Sequence, residues 1–370
     1  MENLLNARVS QHGILCLAGG MQVFPIVPIL IPMTEGELGK TIAEFQNFRL
    51  NAGKCDQHLG MSDWNTKLIN AYRFASWPYR CMRFHQMRKS GTVPIVSMFF
   101  HRIADTILNP WTMTCGMFEQ QIDWLQENFD IVDLEESQRR IRSGFNERPT
   151  LSITFDDGYA ENCDFALPML IERRIPVTYF VTAHNVIHQE PFQHDVDRGQ
   201  PLYVNTVESL RALDMAGVEI AAHTRTHADL GKITCAETLV DEVLTSSEEM
   251  EELIGRKMRY FAFPYGQRAN LNPTVFAMLR EAGFLGVCSA YGGWNQVGCD
   301  AFHIQRIHAD PNFSRVKNWL TYDPRISNID RYDYSGGTTG GIDAVTKPAA
   351  APLMPVVETG AHSSSGEIRS

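Results

Sequence analysis

From Pro94 onward the chain alternates between two kinds of segment. Short runs of β-branched and aromatic residues recur at 94–100, 151–155, 177–181, 218–222, 259–263, 285–289 and 302–307. Between them lie stretches with helical periodicity, such as Phe118, Ile122, Leu125 and Phe129 at spacings of three and four. Helices are predicted over 162–173, over 206–216 with Asn205 as N-cap, over 235–254 ended by Gly255, and over 273–282 ended by Gly283. Strand–helix repetition of this kind specifies an α/β domain with a parallel sheet, open or closed into a barrel. In such sheets the chemistry sits where strands end, so the residues just after each run are the ones to read.

The chain has 370 residues, 44% hydrophobic and 21% charged, an ordinary globular composition with room for one large domain and appendages. A net charge of −10 gives no global basic footprint for nucleic acid. The eight cysteines lack any CxxC spacing, so zinc-knuckle and thioredoxin motifs are excluded, and the thiols read as core or free residues of a reducing compartment. Residues 1–60 read as an N-terminal extension. Its stretch Gly13–Met33 is almost wholly apolar and just long enough to span a bilayer, but Pro25, Pro28 and Pro32 crowd its second half. No small-x-small cleavage site follows, so a cleaved signal is disfavoured and an uncleaved anchor is the alternative; a start of translation at Met61 would remove the segment altogether. Residues 61–93 mix aromatic and basic side chains and are expected to form a helix that docks on the domain, with an interfacial membrane helix as the other reading. Residues 94–325 form the expected catalytic domain. Residues 326–370, rich in Gly, Ser, Thr, Pro and Ala from 335 onward, are expected to be a disordered tail. Localisation is expected to be cytoplasmic or membrane-associated at the cell envelope; oligomeric state is not legible.

Three polar clusters fall at strand ends. Thr154-Phe155-Asp156-Asp157-Gly158-Tyr159 places two adjacent carboxylates before a glycine turn that lets both reach one site; alone, it is also an ordinary turn sequence. His223-Thr224-Arg225-Thr226-His227 carries two histidines at i and i+4, which share a face if that turn is helical. With one Asp they make three protein ligands and leave an open position, the pattern of catalytic rather than structural zinc. Phe263-Pro264-Tyr265-Gly266 is a turn able to aim a backbone N–H into the site.

Together, and in this order, the three clusters resemble the signature of the polysaccharide deacetylases, the NodB-homology group of carbohydrate esterases. The resemblance covers roughly Pro94 to Arg325, including the strand that runs into His101. It implies a distorted (β/α) barrel holding a divalent metal. Asp156 matches the family's general base, Asp157, His223 and His227 its metal ligands, and Tyr265 the residue whose N–H helps hold the oxyanion. Zinc suits the ligand set best, while cobalt, nickel and iron fit a similar site. Two departures are visible. Many members carry an arginine two residues before the motif proline, where this chain has Ala262, and many carry a late histidine as acid. Strand alternation puts Arg306 and His308 on one face and His303 on the other, so Arg306 is expected to replace the missing arginine and His308 to be the acid. His101, Pro264 and Trp294 are candidates for contact with substrate, Trp294 as a sugar-stacking wall or else a core residue.

The expected reaction is metal-dependent hydrolysis of N-acetyl groups on a polysaccharide or oligosaccharide. The alternatives are hydrolysis of another non-peptide C–N bond of the cyclic amide or ureide type, a carbohydrate-binding pseudoenzyme, and a membrane-attached assembly component.

Overall fold

The computed structural model describes residues 61–327 and 329–337. The apolar run 13–33 and residues 338–370 lie outside the described residues. Helix α1 (Met61–Ser90) precedes strand β1 (Ile95–Phe100), the short pair β2 (Arg102–Ile103) and β3 (Thr112–Met113), and α2 (Cys115–Asn128). Strand β4 (Asp130–Ile131), α3 (Leu134–Ser143), β5 (Thr150–Phe155), α4 (Ala166–Glu172) and β6 (Val177–Val181) follow. Two short helices, α5 (Ala183–His188) and α6 (Gln193–Val196), lead to α7 (Val207–Met215) and β7 (Glu219–Ala222). Helices α8 (Ala236–Val240) and α9 (Ser246–Ile254) then precede β8 (Tyr260–Ala262), α10 (Pro273–Glu281) and β9 (Gly286–Ser289). The last elements are β10 (His303–Gln305), β11 (Ile307–His308), α11 (Phe313–Leu320) and α12 (Pro324–Ser327).

Every ladder between these strands is parallel, in the order β10-β9-β8-β7-β6-β5-β1-β11. Closure is made by one chain segment: β10 pairs with β9, and after the single residue Arg306, β11 pairs with β1. The sheet is thus the distorted (β/α) barrel expected from the alternation. Period-two alternation divides its side chains. Phe180, Ala221, Tyr260, Ala262, Cys288 and Ile304 gather in one cluster with Leu134 of α3, filling the lumen. Their neighbours Tyr179, Val181, Ile220, Phe261, Phe263 and Val287 belong to the larger cluster under the helices.

Three expectations need correction at this level. The acidic stretch 235–254 is not one regular helix; Asp241–Thr245 form a π-helical turn between α8 and α9. Asn205 is not the cap of α7; Thr206 is, accepting from the Ser209 amide. The expected tail does not begin at residue 326. Tyr334 stacks on Phe276 of α10 with ring centroids 4.1 Å apart, and Arg331 hydrogen-bonds Gln305 and Asn295, because aromatic side chains in this segment find an apolar surface to cover. Among the described residues no helix is long and apolar enough to cross a membrane.

Candidate metal and hydrolytic site

The C-terminal ends of β5, β7 and β8 bring the three polar clusters together. The backbone does this through left-handed residues. Asp157, Thr224, His227 and Tyr265 have φ of 75°, 66°, 59° and 60°, a region that non-glycine residues seldom occupy and that concentrates at functional sites. Gly158, at φ 88°, turns the chain directly after the carboxylates. Asn205 fixes this turn: its side-chain amide donates to the Gly158 and Tyr159 carbonyls and to the Tyr179 hydroxyl. The histidine loop is irregular rather than helical, so the helical-face expectation for His223 and His227 is corrected: two left-handed residues, not an i,i+4 helical face, bring the rings to 5.1 Å.

Asp157, His223 and His227 form the one group among the described residues able to hold a metal ion, with ligand atoms within 4.8 Å of one another. The donor set fits a cation on electrostatic grounds. His223 Nδ1 lies 2.8 Å from the Ala262 carbonyl, which can only accept; Nδ1 therefore carries the hydrogen and Nε2 presents its lone pair. That Nε2 is 3.5 Å from Asp157 Oδ1, and His227 Nε2 is 3.2 Å from the same oxygen. Oδ1 is buried and makes no hydrogen bond. Lone pairs converging on one buried point are unfavourable unless a cation or proton lies between them. Burial alone would raise the Asp157 carboxyl; positive charge on the two imidazoles, the protonated alternative to a cation at this point, outweighs it and holds the group well below its ordinary range.

Asp156 is held differently. Arg306 donates to both its oxygens, Nη1 to Oδ1 at 2.6 Å and Nη2 to Oδ2 at 2.8 Å. The guanidinium is fully buried, with Phe99 and Phe180 at 4.7 and 5.1 Å from Cζ. It also donates to the Thr154 hydroxyl and the Ser289 carbonyl. Burial pushes the Asp156 carboxyl up, and Arg306 with the nearby histidines brings it below its ordinary value, so it is an ionised base.

The remaining candidates separate. His101 and His308 face each other with ring centroids 5.4 Å apart. Burial, with His101 beside it, pushes His308 down to about 4, so its resting ring is neutral at pH 7. The Tyr265 N–H has no hydrogen-bond partner among the described residues, and its exposed ring meets His227 at 5.0 Å. Pro264 is buried at the start of the turn, where its carbonyl accepts from Gly266. Trp294 is not a wall of this site. It is 3% exposed and packs on Tyr322, and its neighbour Asn295 pairs with Ile95 at the opposite end of β1.

Sequence reasoning missed two groups. Glu242, in the π-helical turn, accepts from the Arg225 and Thr226 amides at 3.1 and 3.0 Å and from the Thr226 hydroxyl at 2.6 Å, so it pins the histidine loop. The segment around α6 places Phe192 and His194 against His227, at 5.6 and 6.2 Å. Tyr159 joins it, donating to Asp195 at 3.0 Å. A buried glutamate inside an acidic helix and a loop without periodicity leave no sequence signal.

Residues 143–287 match the family described as polysaccharide deacetylase. A chitooligosaccharide deacetylase of Bradyrhizobium sp. (strain ANU 289) is 33% identical over 116 residues, which are 31% of this chain and 45% of that protein. YxkH of Bacillus subtilis (strain 168), a polysaccharide deacetylase by name, is 22% identical over 232 residues, 61% of this chain and 74% of that protein. The chain thus spans under half of the first relative. Among solved structures, IcaB from Ammonifex degensii has a TM-score of 0.52 at 23% identity, covering 62% of this chain and 97% of that one. The Streptococcus pyogenes deacetylase PplD, solved with acetate, has a TM-score of 0.50 at 18% identity, covering 61% and 98%. Both share the barrel fold.

Proposed function

We propose, from the match of residues 143–287 to the polysaccharide deacetylase family, that the protein hydrolyses N-acetyl groups on a polysaccharide or oligosaccharide. The observation that carries this reading is a carboxylate kept ionised by Arg306, directly beside the buried Asp157–His223–His227 donor set. A base and a cation site at one point are what hydrolysis of an unactivated amide needs, and a pure sugar binder needs neither.

Asp157, His223 and His227 would hold the cation, with zinc favoured by two imidazoles and a carboxylate. When bound there, the metal supplies a Lewis acid that polarises the acetyl carbonyl. Asp156 accepts the proton of the attacking water, and Arg306 keeps its carboxylate oriented and charged throughout. The free Tyr265 N–H serves the developing oxyanion. His308 is neutral at rest, so it acts as the acid toward the departing amine only after collecting a proton released during the reaction.

The test is acetate release from a panel of N-acetylated glycans by the metal-reconstituted full chain, with Asp156→Asn alongside. Release by the wild type, reduced at least about a hundredfold in the variant, is expected. Metal binding without release from any glycan would defeat the reading.

A further inference from the structure

A cavity of about 380 Å³ lies at the end of the barrel opposite the Asp157–His223–His227 group. Pro94, directly before β1, and Trp294 line it, together with side chains of α1 and of the chain that follows α11. Its volume is that of sites that take small molecules.

The lining carries more positive charge than negative. Arg83 of α1 is exposed and donates to the Gln86 side chain at 3.2 Å. Arg331 donates to the Asn295 and Gln305 side-chain oxygens at 3.3 and 3.2 Å and to the Asp300 and His303 carbonyls. All of these acceptors are neutral, so among the described residues neither guanidinium has a carboxylate partner. Asp330 is the one carboxylate of the described lining. Two guanidiniums against one carboxylate leave a surplus of one positive charge. A cavity walled by protein holds that charge in a lower dielectric than water, where it attracts an anion more strongly. Water fills such a space but neutralises neither guanidinium.

The lining also holds a donor with no acceptor. Trp294 is 3% exposed, and its indole N–H is buried without a hydrogen-bond partner. An unpaired buried N–H costs free energy that a ligand oxygen restores. The ring is fixed in place: it meets Tyr322 edge-on at 4.8 Å, and Tyr322 stacks on Phe84 of α1 at 4.8 Å. Tyr79 and Tyr322 add aromatic surface to the lining.

One surplus charge matches a monoanion better than a dianion. A carboxylate accepts from a guanidinium and an N–H together, and aromatic side chains suit a flat ring. We propose that this cavity is a binding site for a small aromatic carboxylate, its anion held by Arg83 and the Trp294 N–H within the field of Arg331, and its ring against Tyr79 and Tyr322.

The full chain is titrated calorimetrically with benzoate, with benzamide as the neutral isostere and phenyl phosphate as the dianion. One benzoate per chain is expected, phenyl phosphate should bind more weakly, and benzamide should not bind. Arg83→Met, at an exposed position, and Trp294→Phe, which keeps a ring and removes the donor, should each weaken benzoate about tenfold. Benzamide binding as tightly as benzoate, phenyl phosphate binding more tightly, or unchanged affinity in both variants overturns the proposal. Photoactivated 4-benzoylbenzoate, mapped by mass spectrometry, locates the site. Labels competed by benzoate are expected within residues 79–87, where Met87 lines the cavity, and 322–331. Labels confined to 154–159, 223–227 or 263–266 would place the carboxylate among the hydrolytic groups and overturn the proposal. Both readouts are of binding and need no turnover, so they stand or fall separately from the hydrolase reading.

Discussion

Arg306 reaches a carboxylate 150 residues earlier in the chain. It can do so because it sits at the seam between β10 and β11, where one residue passes between two ladders. Its lumen neighbours Ala262 and Cys288 are small, and the position at which many family members carry an arginine is one of them. The Asp156 carboxylate is thus oriented from a different strand. Arg306→Met should raise the Asp156 carboxyl, because it removes the main opposing charge and leaves burial. If the ionised carboxylate is the base, as proposed above, the acid limb of the kcat/KM profile moves to higher pH while metal content is retained. An unmoved limb would mean that Arg306 serves packing alone. Asp157 belongs to the neighbouring set, and His223→Ala should abolish stoichiometric metal binding, measured by elemental analysis after dialysis.

At the scale of elements, the π-helical turn Asp241–Thr245 and the histidine loop form one device. Such turns often mark functional sites, and here the irregularity aims Glu242 at the Arg225 and Thr226 amides. Glu242→Gln keeps the shape but removes the charge that two N–H groups share, and metal affinity should fall about ten- to a hundredfold by competition titration. Helix α1 is attached by a second polar device. Arg80, 1% exposed, donates to the Asn318 side chain and to the Asn318 and Thr321 carbonyls. Asp323 accepts from Tyr72, Asn318 and Arg325 in the same cluster. Arg80→Met should cost about 3 kcal/mol in urea unfolding, since it leaves buried acceptors unpaired. The expected docking of this helix is therefore mediated by buried polar groups as well as by its aromatic face.

Across the whole molecule, closure of the barrel buries histidines that must stay neutral. His303 is fully buried between Ser289 and the ring of Phe276, and burial pushes it down to about 3. The unfolded chain binds a proton there near pH 6.5, the folded one only near 3. Stability is therefore full above pH 6.5 and falls as pH drops through that window, by up to about 5 kcal/mol. His303→Gln should flatten this acid loss in urea midpoints measured between pH 7 and 4, relative to wild type. An identical slope in both proteins would show that other groups control acid unfolding.

The strand runs, their order and the three polar clusters at strand ends were legible locally, because hydrophobic period and turn chemistry are properties of neighbouring residues. Asp156, Asp157, His223 and His227 could be picked out for the same reason: each sits in a short motif at the end of a readable strand. What could not be read was pairing at a distance. Glu242 under the histidine loop, Trp294 turned into the core and the aromatic close of 329–337 each depend on which surface the closed barrel presents. Alternation puts Arg306 on one strand face with His308, yet its contact with Asp156 exists only because the sheet curls until β11 meets β1. Sequence by itself determined the elements and the chemical types at their ends. Tertiary structure decided which of those groups share a point in space, since burial and electrostatic coupling act through distance and not through chain position.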